Sequence, residues 1–170
     1  MNMKKLHRDQ RGLTIIELLV VIILTGLITT AITTTFFQVF DMNTRTANHM
    51  SALSQVRQAG KLVSEDILQA ENVTADGGLN PLLTLTWIEI EDQIEYSYEI
   101  TYALVDNELW RSESIDDSTP TMTRVAEYID PDPTKTYCDW NGDVLIFKVT
   151  VTVGEQSEQR LYRVQPRPGS

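Results

Sequence analysis

The feature that most constrains this chain is a run of 23 consecutive uncharged residues from Leu18 to Phe40. At about 1.5 Å of rise per residue, a helix of that length covers roughly 34 Å, slightly more than the hydrocarbon core of a bilayer, which is about 30 Å thick. Residues 1–12 carry four basic residues against one acidic residue. Basic residues on the N-terminal side favour a cytoplasmic N-terminus. The sequence therefore predicts a single-pass membrane helix followed by an exported part.

A secretory signal peptide is the alternative for this segment, with small residues near Ala31 as its cleavage site. Two features favour a retained helix. The apolar run is longer than the apolar region of an ordinary signal peptide, and Glu17 stands at its start. An ionisable residue at the start of a membrane segment suggests a functional role, because a plain membrane anchor gains nothing from the charge.

The ten residues 11–20, RGLTIIELLV, resemble the class III signature of type IV prepilins and of type II secretion pseudopilins. The shared features are a short basic leader ending in Gly12, a hydrophobic residue after it, and Glu17 at the fifth mature position. The resemblance implies that prepilin peptidase cuts between Gly12 and Leu13 and methylates the new amine of Leu13. It also implies assembly through Glu17 with other pilin or pseudopilin subunits, on an inner-membrane assembly platform.

The helical pattern continues beyond Phe40. One face recurs at steps of three and four residues and is apolar from its third member onward: Thr46, His49, Leu53, Val56, Gly60, Val63, Ile67 and Ala70. We expect a single helix to about Glu71, ended by a turn at residues 76–78. A coiled coil is the alternative, but its seam would be only partly apolar.

After Pro81 the apolar period changes to two, which predicts antiparallel strands. The expected strands are 83–87, 94–104, 108–112, 124–129, 144–153 and 160–164, with an irregular segment at 130–143. The predicted fold class is α+β and pilin-like, with a long N-terminal helix whose first half spans the membrane, packed on an antiparallel β-sheet. The predicted division is a cleaved leader 1–12, a membrane and filament-core helix 13–40, its amphipathic continuation 41–72, a β-domain 80–165 and a tail 166–170.

Within the family, the order of the late strands is similar to W-type minor pilins and J-type pseudopilins. Cys138 is the single cysteine, so the C-terminal disulfide loop of the usual major pilin cannot form. Thr34 stands where many major pilins carry a proline that kinks the helix. Both departures favour a minor pilin or pseudopilin.

Catalytic and cofactor motifs are absent from the sequence, which has two histidines and no nucleotide-binding glycine motif. We therefore expect no enzyme and no cofactor. Calcium is the one metal considered, because oxygen ligands concentrate in one glycine-containing segment, although their spacing is not that of an EF-hand. Asx turns and strand punctuation are the simpler explanation of the same residues. The candidates are Asp130, Asp132, Asp139, Asn141 and Asp143.

The function expected from the sequence is that of a structural subunit of a bacterial type IV pilus or type II secretion pseudopilus. The chain is expected in the inner membrane, in contact with lipid, with its β-domain exported, and then in the filament. The formal net charge of −10 argues against binding nucleic acid. The alternatives are a membrane-anchored binding module, such as an adhesin or DNA-uptake tip component, and a membrane-tethered hydrolase with a carboxylate pair.

Overall fold

The computed structural model of this protein describes residues 14–75 and 77–166. The chain divides into two compact units, Met1–Thr44 and Arg45–Ser170, called here the first and second unit. One helix, α1 (Ile15–Gln69, 55 residues), runs through both. The leader predicted at residues 1–12, together with Leu13, lies outside the described residues.

In the first unit, every described residue of α1 is exposed, including the whole apolar run. α1 is long and apolar enough to cross a membrane. Among the described residues of the first unit, these apolar side chains pack against no protein core.

In the second unit, the end of α1 is followed by eight described strands. A first sheet has the order β1-β2-β3-β4-β5, and a second sheet has the order β6-β7-β8. All pairs are antiparallel. The strands are β1 (Asn72–Thr74), β2 (Leu83–Glu91), β3 (Ile94–Val105), β4 (Glu108–Ile115), β5 (Thr121–Ala126), β6 (Tyr137–Trp140), β7 (Leu145–Val153) and β8 (Gln156–Val164).

This architecture confirms the predicted α+β, pilin-like class and refines it in detail. The expected single sheet is two sheets, because the chain leaves the first sheet after Ala126 and then meets β7 at an isolated bridge between Ile129 and Val151. α1 ends two residues earlier than predicted, since the amide of Glu71 already donates to the carbonyl of Thr86 (3.0 Å). Strands β1 and β6 were not predicted because they are short and lack an alternating apolar pattern.

The core lies between α1 and the two sheets. The predicted apolar face of α1 is confirmed at Val56, Val63 and Ile67, each at most 1% exposed. Leu53 is only half-buried, and its predicted place in the core is taken by Ala52. Ala59 and Gly60 are buried on the same helix as Ala52, so the face of α1 toward the core contains several small residues. Core residues of both sheets belong to the same cluster as this face, including Leu85, Ile100, Leu109, Phe147 and Val149.

Asp66 is a charged residue of α1 that is buried against the first sheet. It is 6% exposed and accepts hydrogen bonds from the hydroxyl of Tyr102 (2.5 Å) and from Nε of Arg111 (2.7 Å). Nη1 of Arg111 donates to Glu113 (2.6 Å). Burial and the negative charge of Asp66 raise the pKa of Tyr102. These contacts satisfy a charge that would otherwise be too costly to bury.

Gly60 lies against the ring of Tyr162. A methyl group built on Gly60 would overlap the ring atoms Cζ and Cε2 of Tyr162. The hydroxyl of Tyr162 donates to the carbonyl of Val56 (3.2 Å), and its ring stacks on Phe147 with centroids 6.2 Å apart. The absence of a side chain at Gly60 therefore sets how closely α1 and β8 approach.

Candidate functional site

The start of α1 has the geometry of a capped helix. The amide of Glu17 donates to Oγ1 of Thr14 (3.3 Å), and the amide of Leu18 donates to the carbonyl of Thr14 (3.2 Å). Thr14 is thus the N-cap and Glu17 is the third helical residue, which is the threonine and glutamate spacing of a capping box. The sequence analysis missed this role of Thr14, although the T-x-x-E pattern was visible.

Glu17 is exposed in the first turn of α1, where the helix dipole favours a negative charge. The next charged residue along the chain is Asp41. No side chain of residues 18–40 can therefore neutralise the Glu17 carboxylate. Gly12 and Leu13, the other residues predicted for this site, lie outside the described residues.

The threonines of the apolar run need no external hydrogen-bond partner for their hydroxyl protons. Each hydroxyl donates to the carbonyl four residues earlier, at 2.7 to 2.9 Å. Threonines bonded in this way are compatible with hydrocarbon, because the backbone and side-chain polar groups are satisfied within the helix. They are Thr25, Thr29, Thr30, Thr33, Thr34 and Thr35.

The residues predicted for calcium are spread over a loop, strand β6 and the turn after β6 in the second unit. Asp130 pairs with Lys135 (2.7 Å), and this hydrogen bond lowers the pKa of Asp130. Oδ1 of Asp132 accepts from the amide (2.9 Å) and hydroxyl (2.8 Å) of Thr134, and the amide hydrogen bond is the main cause that lowers the pKa of Asp132. These two residues share one loop, and most of their oxygens accept hydrogen bonds from protein donors.

The other three calcium candidates lie further along the chain. Oδ1 of Asn141 caps an Asx turn by accepting from the amides of Asp143 (3.0 Å) and Val144 (2.8 Å). Asp139 is exposed on β6. Among residues 14–75 and 77–166, no group of three or more His, Cys, Asp or Glu could hold a metal ion. Calcium binding stays a prediction from composition.

Cys138 is buried on β6, and burial raises the pKa of its thiol. A protonated, buried thiol packs as a small apolar side chain and is a poor nucleophile.

The class of protein follows from these features together: an α+β, pilin-like chain whose N-terminal helix is capped, apolar and internally hydrogen-bonded. The prokaryotic N-terminal methylation motif matches residues 7–33. That motif is the class III signal of type IV prepilins and pseudopilins, and its presence supports a type IV pilin-like or pseudopilin-like precursor. Neither a curated protein nor a solved structure significantly matches the chain.

The motif also bears on partners and on location. It implies processing by prepilin peptidase and assembly with other pilin subunits. The signal and the apolar helix fit a membrane-anchored pilin. The family is one of structural pilins and is not known for enzymes.

Proposed function

We propose that the chain is a structural subunit of a bacterial type IV pilus or type II secretion pseudopilus, cut between Gly12 and Leu13 and assembled through α1. The observation that carries the proposal is the methylation motif at residues 7–33, joined without interruption to the apolar half of α1. A motif that ends in a long retained helix serves a membrane-anchored subunit better than a freely secreted one.

The proposed role of Glu17 follows from its isolation. A carboxylate at the edge of hydrocarbon is costly unless a cation neutralises it, and residues 18–40 offer none. Cleavage after Gly12 would create an ammonium group at Leu13. In a bundle of subunits, the Leu13 ammonium of one copy is a suitable partner for Glu17 of its neighbour, and the pairing would set the axial register.

The small residues of α1 support packing against other helices. Gly26 has open space around its α-carbon. Small residues and internally bonded threonines let helices approach closely in an apolar medium, where polar side chains facing lipid would be costly. This small-residue face carries Thr25, Gly26, Thr29, Thr30, Thr33 and Thr34.

The subclass proposed is a minor pilin or pseudopilin. The single buried Cys138 cannot close a C-terminal disulfide loop, and the helix is continuous through Thr34 without a proline. We further propose the cytoplasmic side for the N-terminus, export of the second unit, and a leader that ends at residue 12.

Processing is the first test. N-terminal mass spectrometry of the membrane fraction is expected to find a chain that begins at methylated Leu13. A bulky substitution such as Gly12→Leu is expected to leave uncut precursor, because glycine allows close approach to the backbone. A chain that begins near Thr33 would show secretory cleavage and would contradict the proposal.

Assembly is tested at Glu17. Glu17→Gln keeps the size of the side chain but removes its charge, so incorporation into sheared filaments should fall several-fold while cleavage persists. Membrane retention should not fall, because removing a charge eases insertion. The matched control is Asp41→Asn, which removes the next carboxylate along the helix. Unchanged incorporation of Glu17→Gln would contradict the assigned role, and a block in cleavage would transfer the role to recognition by the peptidase.

A further inference from the structure

Strands β2 and β3 continue past the core of the second unit. β2 is exposed from residue 88 onward, and β3 has no buried residue before Ile100. Directly paired residues of antiparallel strands project from the same face of a sheet, as do residues two positions apart on one strand. Six side chains therefore extend the buried face of these strands beyond the core, and they are called here the tyrosine–glutamate surface. They are Trp87, Glu89 and Glu91 on β2, paired in register with Tyr98, Tyr96 and Ile94 on β3.

The aromatic rings of this surface are stacked, and their polar atoms are unpaired. The rings of Trp87 and Tyr98 are nearly parallel, with centroids 5.2 Å apart and 4° between their planes. Trp87 is only 8% exposed, whereas Tyr96 and Tyr98 are half-buried. Within the described residues, neither tyrosine hydroxyl nor the indole N–H of Trp87 makes a hydrogen bond, and solvent reaches all three groups. An otherwise buried tryptophan thus offers a donor at this surface.

Negative charge borders these rings. Residues 62–110 contain eleven Asp and Glu residues but no Lys, Arg or His. Glu89 and Glu91 are exposed, and neither carboxylate forms an ion pair or a hydrogen bond with another residue of the described ranges. Burial raises the pKa of Tyr98, and the charges of Glu89 and Glu91 raise it further. Both carboxylates therefore lie close enough to the Tyr98 ring for their charges to act on it.

The surroundings of the surface add negative charge and supply no cation. α1 ends next to β2, because the amide of Glu71 donates to the carbonyl of Thr86 (3.0 Å). The last turn of α1 contains no basic residue, so the negative end of the helix dipole is not neutralised there. Arg111, the first basic residue after position 110, donates instead to Asp66 (2.7 Å) and Glu113 (2.6 Å).

The chemistry and spacing of the surface define a partner. A guanidinium group both stacks on aromatic rings and donates to carboxylates, so it suits rings bordered by glutamates. Glu89 and Glu91 are two positions apart, which is roughly 6.8 Å along an antiparallel strand. An extended segment with arginines at alternate positions has the same spacing. No two Lys or Arg residues of this sequence are two positions apart, so a second copy does not supply such a segment.

We propose that the tyrosine–glutamate surface binds an extended basic segment of a different protein, whose alternate arginines face Glu89 and Glu91 and stack on Tyr96 and Tyr98. The backbone carbonyls of that segment are acceptors for the indole N–H of Trp87. The inference goes beyond the proposed function and does not depend on it, because the surface lies in the second unit and requires neither cleavage nor a filament.

A synthetic peptide of four Ala-Arg repeats tests the binding. The reference peptide carries citrulline in place of each arginine, which keeps the shape of the side chain and removes its charge. Isothermal titration calorimetry of the full chain in an uncharged detergent should detect binding of the arginine peptide and none of the citrulline peptide. No binding of the arginine peptide, or equal binding of both peptides, would overturn the proposal.

Glutamine substitutions separate the surface from the general acidity of the chain. The double variant Glu89→Gln, Glu91→Gln should weaken binding of the arginine peptide about tenfold, the scale of two exposed ion pairs. The matched control is Glu95→Gln, Glu99→Gln, which removes the same charge from exposed positions on the opposite face of β3. This control should change the affinity less than twofold. Equal losses in the two double variants would show attraction by net charge alone and would overturn the proposal.

The rings are tested separately from the charges. Tyr98→Leu should weaken peptide binding several-fold, whereas Tyr98→Phe keeps the ring and should bind like the original chain. Tyr96→Leu and Tyr96→Phe provide the same comparison if Tyr98→Leu fails to fold, which urea unfolding reports. Equal binding by the leucine and phenylalanine variants would overturn the proposal. Binding of phosphatidylcholine vesicles in competition with the peptide would assign the surface to a lipid headgroup and would also overturn it.

N-terminal mass spectrometry of the same sample separates this inference from the proposed function. A chain that binds the peptide but is never cut after Gly12 in its membrane would support this inference and contradict the proposed function. A chain that begins at methylated Leu13 but does not bind the peptide would overturn this inference alone.

Discussion

Gly60→Ala is expected to destabilise the second unit by about 1–3 kcal/mol, the usual cost of forcing extra volume into a packed site. The new methyl group would overlap the ring of Tyr162. The ring can escape only by giving up its hydrogen bond to the carbonyl of Val56 and its stacking on Phe147. The effect is measured by urea unfolding of the full chain in detergent. Tryptophan fluorescence reports on this unit specifically, because Trp87, Trp110 and Trp140 all belong to it.

A double-mutant cycle makes the cause testable. Tyr162→Ala removes the obstacle, so in that background Gly60→Ala should be neutral or should stabilise by up to about 1 kcal/mol, the helix-propensity difference between the two residues. The sign of the Gly60→Ala effect should therefore reverse between the two backgrounds. An additive cycle would show that the ring of Tyr162 is not what requires glycine at this position.

The parts of the fold that could be predicted are those that a local apolar period in the sequence indicates. The apolar face of α1 repeats every three to four residues, so Val56, Val63 and Ile67 were placed correctly. Strands β2, β3 and β7 alternate over many residues, so their existence was predicted too. The division into two sheets could not be predicted, because it depends on where residues 127–136 leave the first sheet, and that segment has no period.

Long-range contacts explain the errors at single residues. An aspartate on a helix is usually exposed to solvent, so the sequence around Asp66 gives no sign that it is buried. Its partner Arg111 lies 45 residues later. Gly60 was assigned to the correct face of α1, but the residue that requires glycine there is Tyr162 on β8. The hydrogen bond of Tyr162 to Val56 joins residues that are 106 positions apart. No local pattern connects such pairs. The pairing of a charge with its partner is fixed only when both elements are in place.

The candidate site could be located from the sequence, because the residues of its motif are contiguous. Glu17, Leu13 and Gly12 belong to one short segment, and the match at residues 7–33 covers all three. The calcium candidates were proposed from composition alone. The carboxylate of Asp132 accepts hydrogen bonds from Thr134 in its own loop. From the sequence alone, such an aspartate cannot be distinguished from a metal ligand.

Asp66→Ala is expected to have the largest effect on stability, about 3–5 kcal/mol, because it leaves the guanidinium of Arg111 and the hydroxyl of Tyr102 without their shared acceptor. The Arg111 side chain is only 15% exposed. Glu113 accepts from a different nitrogen of the same guanidinium and cannot replace Asp66 at Nε. The change is measured by the same urea unfolding of the full chain.

The adjacent Glu65 provides the matched control. It pairs with Lys61 at 3.7 Å on the exposed side of α1, where the side chains are 76% (Lys61) and 52% (Glu65) exposed. Glu65→Ala should therefore change the free energy of unfolding by less than about 0.5 kcal/mol. The destabilisation by Asp66→Ala should shrink when Arg111→Met and Tyr102→Phe are added, because an apolar replacement of all three members leaves no buried polar group unpaired. If Asp66→Ala and Glu65→Ala had equal effects, the charge at Asp66 would be solvated, and the contacts to β3 and β4 would contribute little to holding α1 against the first sheet.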